Sequence, residues 1–415
     1  MKITILSRSD SRGGAARAAY RLQKALLKDN VDVKFLTSLK LTDDYAITTP
    51  KNKNYNVIST IKSRLGQYFL KLSKTENKNF HSINILPSNW SRQINNNDSD
   101  IINLHWVGDE MISVEDIGKI NKKIIWTLHD MWPFCGCEHV TSDCENSRWR
   151  EGYNSLNRSK EDKGIDLDKF NWNRKKRSWK QSIHFVAPSH WLAKCVKDSV
   201  LFKDSIVSVI PNALDTNVFK PLSKHFCRNI LNLPQDKKII LFGAMGGGAD
   251  HNKGYDLLIS SLNDLSTGVD NSEILCVIFG QGEPENKPDI PFSCQWMGHI
   301  HDDSTLALLY NCADIMVVPS RIESFGQTAS EAHSCGIPVV AFNCTGITDV
   351  IKHKETGYLA KAYDINDFSF GMKWILEAEI LQKSLGENAR KRAVNLWDYA
   401  VISEQYVKLY QKYIK

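Results

Sequence analysis

Short apolar runs alternate with helix-spaced apolar positions from one end of the chain to the other. A first series comprises KITILS (2–7), VDVKFLT (31–37), DIINLHW (100–106), KIIWTLH (123–129), HFVAPS (184–189) and IVSVIPN (206–212). A second comprises KIILFGA (238–244), ILCVIFG (274–280), CQWMGH (294–299), DIMVVPS (314–320) and IPVVAF (337–342). Between them, stretches such as Ala16–Leu27 repeat apolar residues at helical spacing. Strand and helix in alternation predict an α/β chain whose parallel sheets are covered on both faces. Two series predict two such Rossmann-like sheets in tandem.

The boundary falls after VIPNALDTNVFKPLS, where Pro211, Asn212 and Pro221 interrupt the periodicity. That assigns 1–213 to a first domain and 214–395 to a second. The last stretch, LWDYAVISEQYVKLYQKYIK (396–415), has helical spacing with no strand beyond it, and is expected to cross back onto the first domain. No fixed-period repeat is present.

The region 41–99 is richer in Asn, Lys and Ser. Within it, IKSRLGQYFLKLSK sets Ile61, Leu65, Tyr68, Phe69 and Leu72 on one helical face with Lys and Arg around it. Two readings stand: a helix docked on its own domain, or a basic amphipathic patch resting on an anionic membrane. NWNRKKRSWK (171–180), with Trp172 and Trp179 among its cations, allows the same choice, and a partly solvated helix is the default there.

A length of 415 residues suits two domains, and 42% hydrophobic with 24% charged residues is a soluble globular composition. A net charge of +6 fits polyanionic or phosphorylated ligands. Its basic residues are scattered and no nucleic-acid module appears, so no nucleic-acid partner is expected. No apolar run approaches the ~18 residues needed to span a bilayer, and MKITILSRSD meets charge too soon for a signal peptide. A cytoplasmic location is expected, with an inner-membrane surface as a candidate partner. The ten cysteines lie irregularly, several in apolar runs (Cys276, Cys312), which suits reduced small hydrophobes.

The chemistry concentrates in PSRIESFGQTASEAHSCGIPVVA (319–341). Glu323 lies just past the C-terminal end of a strand, the edge at which open parallel sheets bind ligands. Gly326 permits close backbone approach. A short helix is predicted from Gln327 to Ser334 or Cys335, ended by Gly336 and Pro338. Amides at its start, with the positive end of its dipole, make a phosphate site. Glu331 lies about one turn inside, ~6–8 Å along the axis, roughly the reach from a diphosphate to a ribose. One carboxylate can then accept from ribose hydroxyls and the other from a sugar. The bland alternative is that both acids are surface carboxylates near a helix start.

The E-x7-E pattern ESFGQTASE, followed by AHSCGIPVVAFNCTGITDVIKHKETGYL, resembles the signature of retaining GT-B glycosyltransferases of family 4. SRGGAARAAYRL, INLHWVG, WTLHDMWPF and APSHWLA are similar to the colanic-acid, exopolysaccharide and O-antigen branch, and IPNALDTNVFKP and NKGYDLL to general landmarks of the family. The resemblance covers most of the chain. It implies the GT-B fold, two Rossmann-like domains facing across a deep cleft, and transfer of a hexose-type sugar from a nucleotide-diphosphate sugar. The implied acceptor is a lipid-linked saccharide in surface polysaccharide assembly.

By resemblance, Gly13 and Gly14 form a loop closing toward the donor diphosphate; in isolation they are equally a structural turn. His129 would face the reacting sugar, although a lone strand-end histidine is often structural. His105 and Trp106, with Asp130, would line the acceptor side. Lys253 in DHNKGYDLL matches the family's phosphate-binding lysine, suited to neutralising a leaving diphosphate. Many relatives carry an arginine after the preceding strand, where this chain reads FGAMGGGADHNKG. Lys253 with the amides of Gly246–Gly248, or Arg321, is expected to complete the clamp.

Gly280 with Gly282, and Met297 with Gly298, match loops that flank the base through backbone. The amides of Phe325, Gly326, Gln327 and Thr328, with Glu323 and Glu331, complete the donor set. Cys135, Cys137, His139 and Cys144 lack a standard zinc spacing and are read as acceptor-loop residues. No D-x-D pair ends a strand, so a metal-independent enzyme without cofactor is expected. His129, Glu323 and Lys253 are the candidate catalytic residues. An epimerase or phosphorylase on the same fold and a non-catalytic saccharide-binding scaffold are the rival readings.

Overall fold

The computed structural model describes residues 1–50, 55–243 and 250–414. Met245 and the Gly246–Gly248 run, where the sequence departs from its relatives' arginine, lie outside the described residues. The chain forms two compact units, Met1–Pro211 with Ile402–Lys415, and Asn212–Val401. Among the described residues no helix is long and apolar enough to cross a membrane.

The first unit carries β1 (Lys2–Ser9), β2 (Asp32–Leu39), β3 (Ile47–Thr48), β4 (Ser73–Lys74), β5 (Ile101–Leu104), β6 (Lys123–Thr127), β7 (Lys163–Gly164), β8 (Ile183–Ala187) and β9 (Val207–Val209). Seven of these form one sheet in the order β3-β2-β1-β5-β6-β8-β9, while β4 and β7 make a separate two-stranded ladder. The second unit carries β10 (Lys238–Gly243), β11 (Ile274–Phe279), β12 (Ser293–Trp296), β13 (Ile315–Val318), β14 (Val339–Phe342) and β15 (Gly357–Ala360), ordered β12-β11-β10-β13-β14-β15. Every pairing within the two large sheets is parallel. Strands β11, β13 and β14 are buried along their whole length, which is why they read as unbroken apolar runs.

All the strands predicted from apolar runs are present; β1 and β2 run two residues past the predicted ends, and most of the others are shorter than predicted. The 100–106 run is ladder only to Leu104, so His105 and Trp106 stand at the C-terminal edge. Both sheets also reverse their strand order once, between β1 and β5 and between β10 and β13. At such a switch point the flanking connections diverge and open a crevice beyond the strand ends. Helix α1 (Gly14–Lys28) follows β1 and buries a face of Ala16, Ala19, Leu22 and Leu26.

Both basic helices singled out in the sequence dock on their own unit. The helix Leu167–Ser178 is docked, with Trp172 buried in the core along with Trp179 just beyond its end. Its Lys175 is fully buried and donates to the carbonyls of Trp132, Cys135 and Gly136, tying down the segment after β6. Helix α2 (Tyr55–Leu70) docks as well, but not by the face of Ile61, Leu65 and Tyr68 that the spacing suggests. It packs through Ser59, Ser63 and Gly66, and those apolar side chains face solvent.

The C-terminal segment forms the helix expected there, starting at Tyr399. Glu379–Trp397 stops at Asp398, and Tyr399–Ile414 begins again after it. Asp398 caps the new helix by accepting from the Ala400 amide at 2.9 Å and also accepts from the Thr216 hydroxyl. Residues from Ile402 onward belong to the first unit, fixed by a buried polar chain. The Thr127 hydroxyl donates to Asn103 Oδ1 (2.9 Å), so the Tyr406 hydroxyl at 3.0 Å must donate to Thr127, while Asn103 Nδ2 donates to the Tyr410 hydroxyl (2.8 Å). Lys123 Nζ closes the helix end on the carbonyls of Tyr413 and Ile414.

Tyr410→Phe strands the buried Asn103 amide without its acceptor, and a loss of about 1–3 kcal/mol is expected in urea unfolding. Tyr45→Phe, at a side chain 94% exposed, is the matched control and leaves the midpoint unchanged.

Candidate functional site

In the second unit the switch point is lined by the segments that follow β10 and β13. Lys253 ends the 3-10 turn His251–Lys253, which Asp250 caps through the Asn252 amide (3.0 Å). Gly254 comes next at φ 64°, and a Cβ there would lie 2.0 Å from the Pro319 carbonyl oxygen. Only glycine lets the two segments press together so closely. A backbone bond from Arg321 N to the Asn252 carbonyl (2.7 Å) joins them further.

Glu323 stands opposite Lys253. Its Oε1 accepts from Lys253 Nζ at 2.6 Å and from Ser320 Oγ at 2.9 Å. Its backbone is pinned by Thr345 Oγ1, which accepts from its amide (3.0 Å), and by the Gly346 amide, which donates to its carbonyl (2.8 Å). Burial opposes the charge on Lys253, but Glu323 holds the amine above its ordinary value, so it is a cation at neutral pH. Arg321 points elsewhere: its guanidinium binds Asp256 at 2.8 and 2.6 Å and the His251 carbonyl at 2.8 Å. It braces the Lys253 turn rather than completing an anion clamp in this structure.

The helix Gln327–Ser334 starts where the sequence predicts. Gly326 caps it at φ 95°, no side chain caps it, and its first turn carries no acid. A Cβ on Gly326 would sit 2.2 Å from Ile347 Cδ1, so glycine is required for both reasons. This helix end thus presents its positive dipole with no acid in the first turn. Phe325 turns its ring into the core against Trp397 (5.9 Å), leaving its backbone at the edge, and Thr328 follows in the first turn. Glu331 is buried, and the Tyr310 hydroxyl donates to its Oε2 at 2.7 Å. Gly280 N donates to the Gly298 carbonyl (2.8 Å), clasping the segments after β11 and β12, and the space a Cβ would fill at Gly282 or Gly298 is open.

In the first unit the corresponding edge carries Gly13, which opens α1 at φ 87° before Gly14 and with no side-chain cap. His105 Nδ1 and His129 Nε2 lie 2.9 Å apart with their rings stacked. Burial pushes both imidazoles down, His129 to about 4, so both are neutral at pH 7. One must donate and one accept. Nε2 of His105 is buried without a partner; an orphaned lone pair costs less there than an orphaned N–H. His105 therefore carries its proton on Nδ1 and gives it to His129, which leaves His129 protonated on Nδ1.

Trp106 and Asp130 are bonded to each other. Trp106 Nε1 donates to Asp130 Oδ2 at 2.7 Å, His139 Nδ1 approaches the same oxygen at 2.5 Å, and His139 Nε2 meets Ser82 Oγ at 2.7 Å. Burial raises the Asp130 carboxyl, but His139 and the Trp132 amide outweigh it and hold it below its usual value. Asp130 and the buried His105 thus act here on neighbouring side chains, Trp106 and His129, rather than outward. Among the described residues no group of three His, Cys, Asp or Glu side chains is placed to hold a metal ion. Cys135 and Cys137 are buried and Cys144 is exposed.

Sequence reasoning missed Ser320, Thr345 and Tyr310, which position the two glutamates. Ser320 and Thr345 follow strands that were located, so strand-end hydroxyls were a usable signal. Tyr310 lies inside a helix and gave none.

Two family descriptions match the chain: "Glycosyltransferase Family 4" over residues 12–218 and "Glycosyl transferases group 1" over residues 223–392. A D-inositol 3-phosphate glycosyltransferase of Catenulispora acidiphila is 28% identical over 45% of this chain and 46% of its own. The N,N'-diacetylbacillosaminyl-diphospho-undecaprenol alpha-1,3-N-acetylgalactosaminyltransferase of Campylobacter jejuni is 37% identical over 26% of this chain and 28% of its own. The chain therefore spans less than half the length of these curated relatives. Anabaena HepE, solved with UDP and glucose, superposes with a TM-score of 0.63 at 15% identity over 99% of this chain and 100% of that one.

Two neutral imidazoles make the first-unit site acid-sensitive. Below pH 6.5 the unfolded chain binds protons that the folded His129 refuses down to about pH 4, so stability is expected to fall as pH drops through that window. Long-range proton–nitrogen NMR at pH 7 should show His129 as the Nδ1–H tautomer. An Nε2–H signal, or titration of His129 near 6.5, would contradict the assignment.

Proposed function

The chain belongs to the group 1, family 4 glycosyltransferases of GT-B fold, and from that premise we propose that it moves a hexose-type sugar from a nucleotide-diphosphate sugar to a saccharide acceptor. The observation that carries this reading is the Lys253–Glu323 pair beside the helix start at Gly326. A cation and the positive end of a helix with no acid in its first turn suit a diphosphate, and a carboxylate next to the cation suits the hydroxyls of the attached sugar. UDP and glucose bound to a protein of the same fold support the ligand class.

In this reading the sugar–phosphate bond breaks as Lys253 and the amides from Phe325 to Thr328 take up the charge that develops on the leaving diphosphate. The acceptor hydroxyl attacks the anomeric carbon from the same face, and its proton passes to the departing phosphate oxygen. The anomeric configuration is kept. Glu323 orients the transferring sugar, with Ser320 and Lys253 holding its carboxylate. Glu331, set by Tyr310, is the ribose contact. No metal or other cofactor takes part in these steps.

The acceptor is assigned to the first unit, where Trp106 and the His105–His129 pair stand at the sheet edge. A lipid-linked saccharide in surface polysaccharide assembly is the acceptor class we favour, supported by the Campylobacter jejuni relative whose name carries diphospho-undecaprenol. Turnover is read as acceptor-dependent release of nucleoside diphosphate. Glu323→Ala is expected to lower it by about 100-fold or more, the scale of a lost transition-state contact. Glu323→Ala turning over at the wild-type rate would sink the assignment.

A further inference from the structure

Helix α2 is amphipathic in the inverse sense. Its polar side is the docked one: Arg8 Nη1 donates to Ser59 Oγ (2.9 Å), Ser63 Oγ donates to Asp109 Oδ1 (2.6 Å), and the Lys62 amine donates to the Pro87 carbonyl. Gly66 packs so tightly that a Cβ there would lie 2.5 Å from Glu110 Cγ. On the opposite side Val57, Ile58, Ile61, Leu65 and Tyr68 fall within one arc of about 100°. They are 40 to 64% exposed. A globular protein gains nothing by turning that stripe to water.

The stripe continues past the helix. Leu72 is 49% exposed, and its carbonyl accepts from the amide of Ile165, which is 55% exposed. Beside them, Lys74 lies directly opposite Lys163 in the β4–β7 ladder. Like charges so placed repel unless an anion neutralises both. Arg64 and Lys71, both exposed, flank the stripe, and from Tyr45 to Thr75 the chain carries no acidic residue. Acids return only beyond the ladder, at Glu76, Glu161 and Asp162.

We infer that this face docks on an anionic lipid bilayer, with the stripe entering the headgroup boundary and Arg64, Lys71, Lys74 and Lys163 at the lipid phosphates. A row of apolar side chains edged by cations and free of acids is the pattern of an interfacial helix. A second copy is the poorer occupant. A two-fold contact pairs a surface with itself, and here that would set Arg64 and Lys71 against the same cations. The inference stands on α2 and the ladder alone, uses neither Lys253 nor Glu323, and fails or holds independently of the transfer reading.

The test is co-sedimentation of the full chain with phosphatidylcholine vesicles, with and without phosphatidylglycerol. Wild type should pellet with the anionic vesicles and be released by high salt. Ile61→Ser/Leu65→Ser and Arg64→Glu/Lys71→Glu, all at exposed positions, should each partition about tenfold less while keeping the wild-type circular dichroism. Wild type left in the supernatant with both vesicle types overturns the inference, as does unchanged binding by both variants. So does a wild-type dimer that Ile61→Ser/Leu65→Ser dissociates, since that assigns the face to a second copy.

Discussion

The proposed chemistry centres on the two places where a parallel sheet reverses its strand order. Between β1 and β5, and again between β10 and β13, neighbouring strands send their connections to opposite faces. The C-terminal edge is left uncovered at those two places. Gly13 and His105 flank the first, and Lys253 and Glu323 flank the second. The parallel topology, itself forced by runs such as ILCVIF and IMVV that must be buried on both faces, decides where polar side chains can converge without breaking the core.

At the second switch point the Lys253–Glu323 pair is held by backbone close to both partners, through the Gly254–Pro319 approach and the Thr345 and Gly346 bonds to Glu323. With side chains 31% and 17% exposed, the pair is screened by solvent and adds little to folding stability. Its value is positional: a cation and an acceptor are fixed a bond length apart beside a helix dipole. The first unit uses the opposite device. Burial there strips charge from His105 and His129, so the edge offers neutral hydrogen-bonding groups whose direction is set by one buried neighbour.

Strand positions were legible because buried parallel strands leave long apolar runs. The helix at Gln327 was legible because Gly326, Gly336 and Pro338 punctuate it. Three kinds of feature were not. Strands of two residues, such as Ile47–Thr48, have no periodicity to detect, and Gly357–Ala360 hides behind the tight turn at Lys354. Side-chain engagement was invisible: Arg321 reads as a free cation, whereas its guanidinium lies 2.6 Å from Asp256. Helix polarity was ambiguous, since spacing gives α2 two faces but cannot say which one the rest of the domain completes. Its small polar side won because Ser59, Ser63 and Gly66 satisfy Arg8, Asp109 and a close approach to Glu110 that bulky residues would prevent.

The central claim, a diphosphate held at the β10–β13 switch point, is met most directly by thermal unfolding of the protein with UDP, GDP, dTDP or CMP. A saturable rise in Tm with one nucleoside diphosphate, lost in a folded Lys253→Ala variant, is the expected result. No rise with any nucleotide, or the same rise in Lys253→Ala, would contradict it.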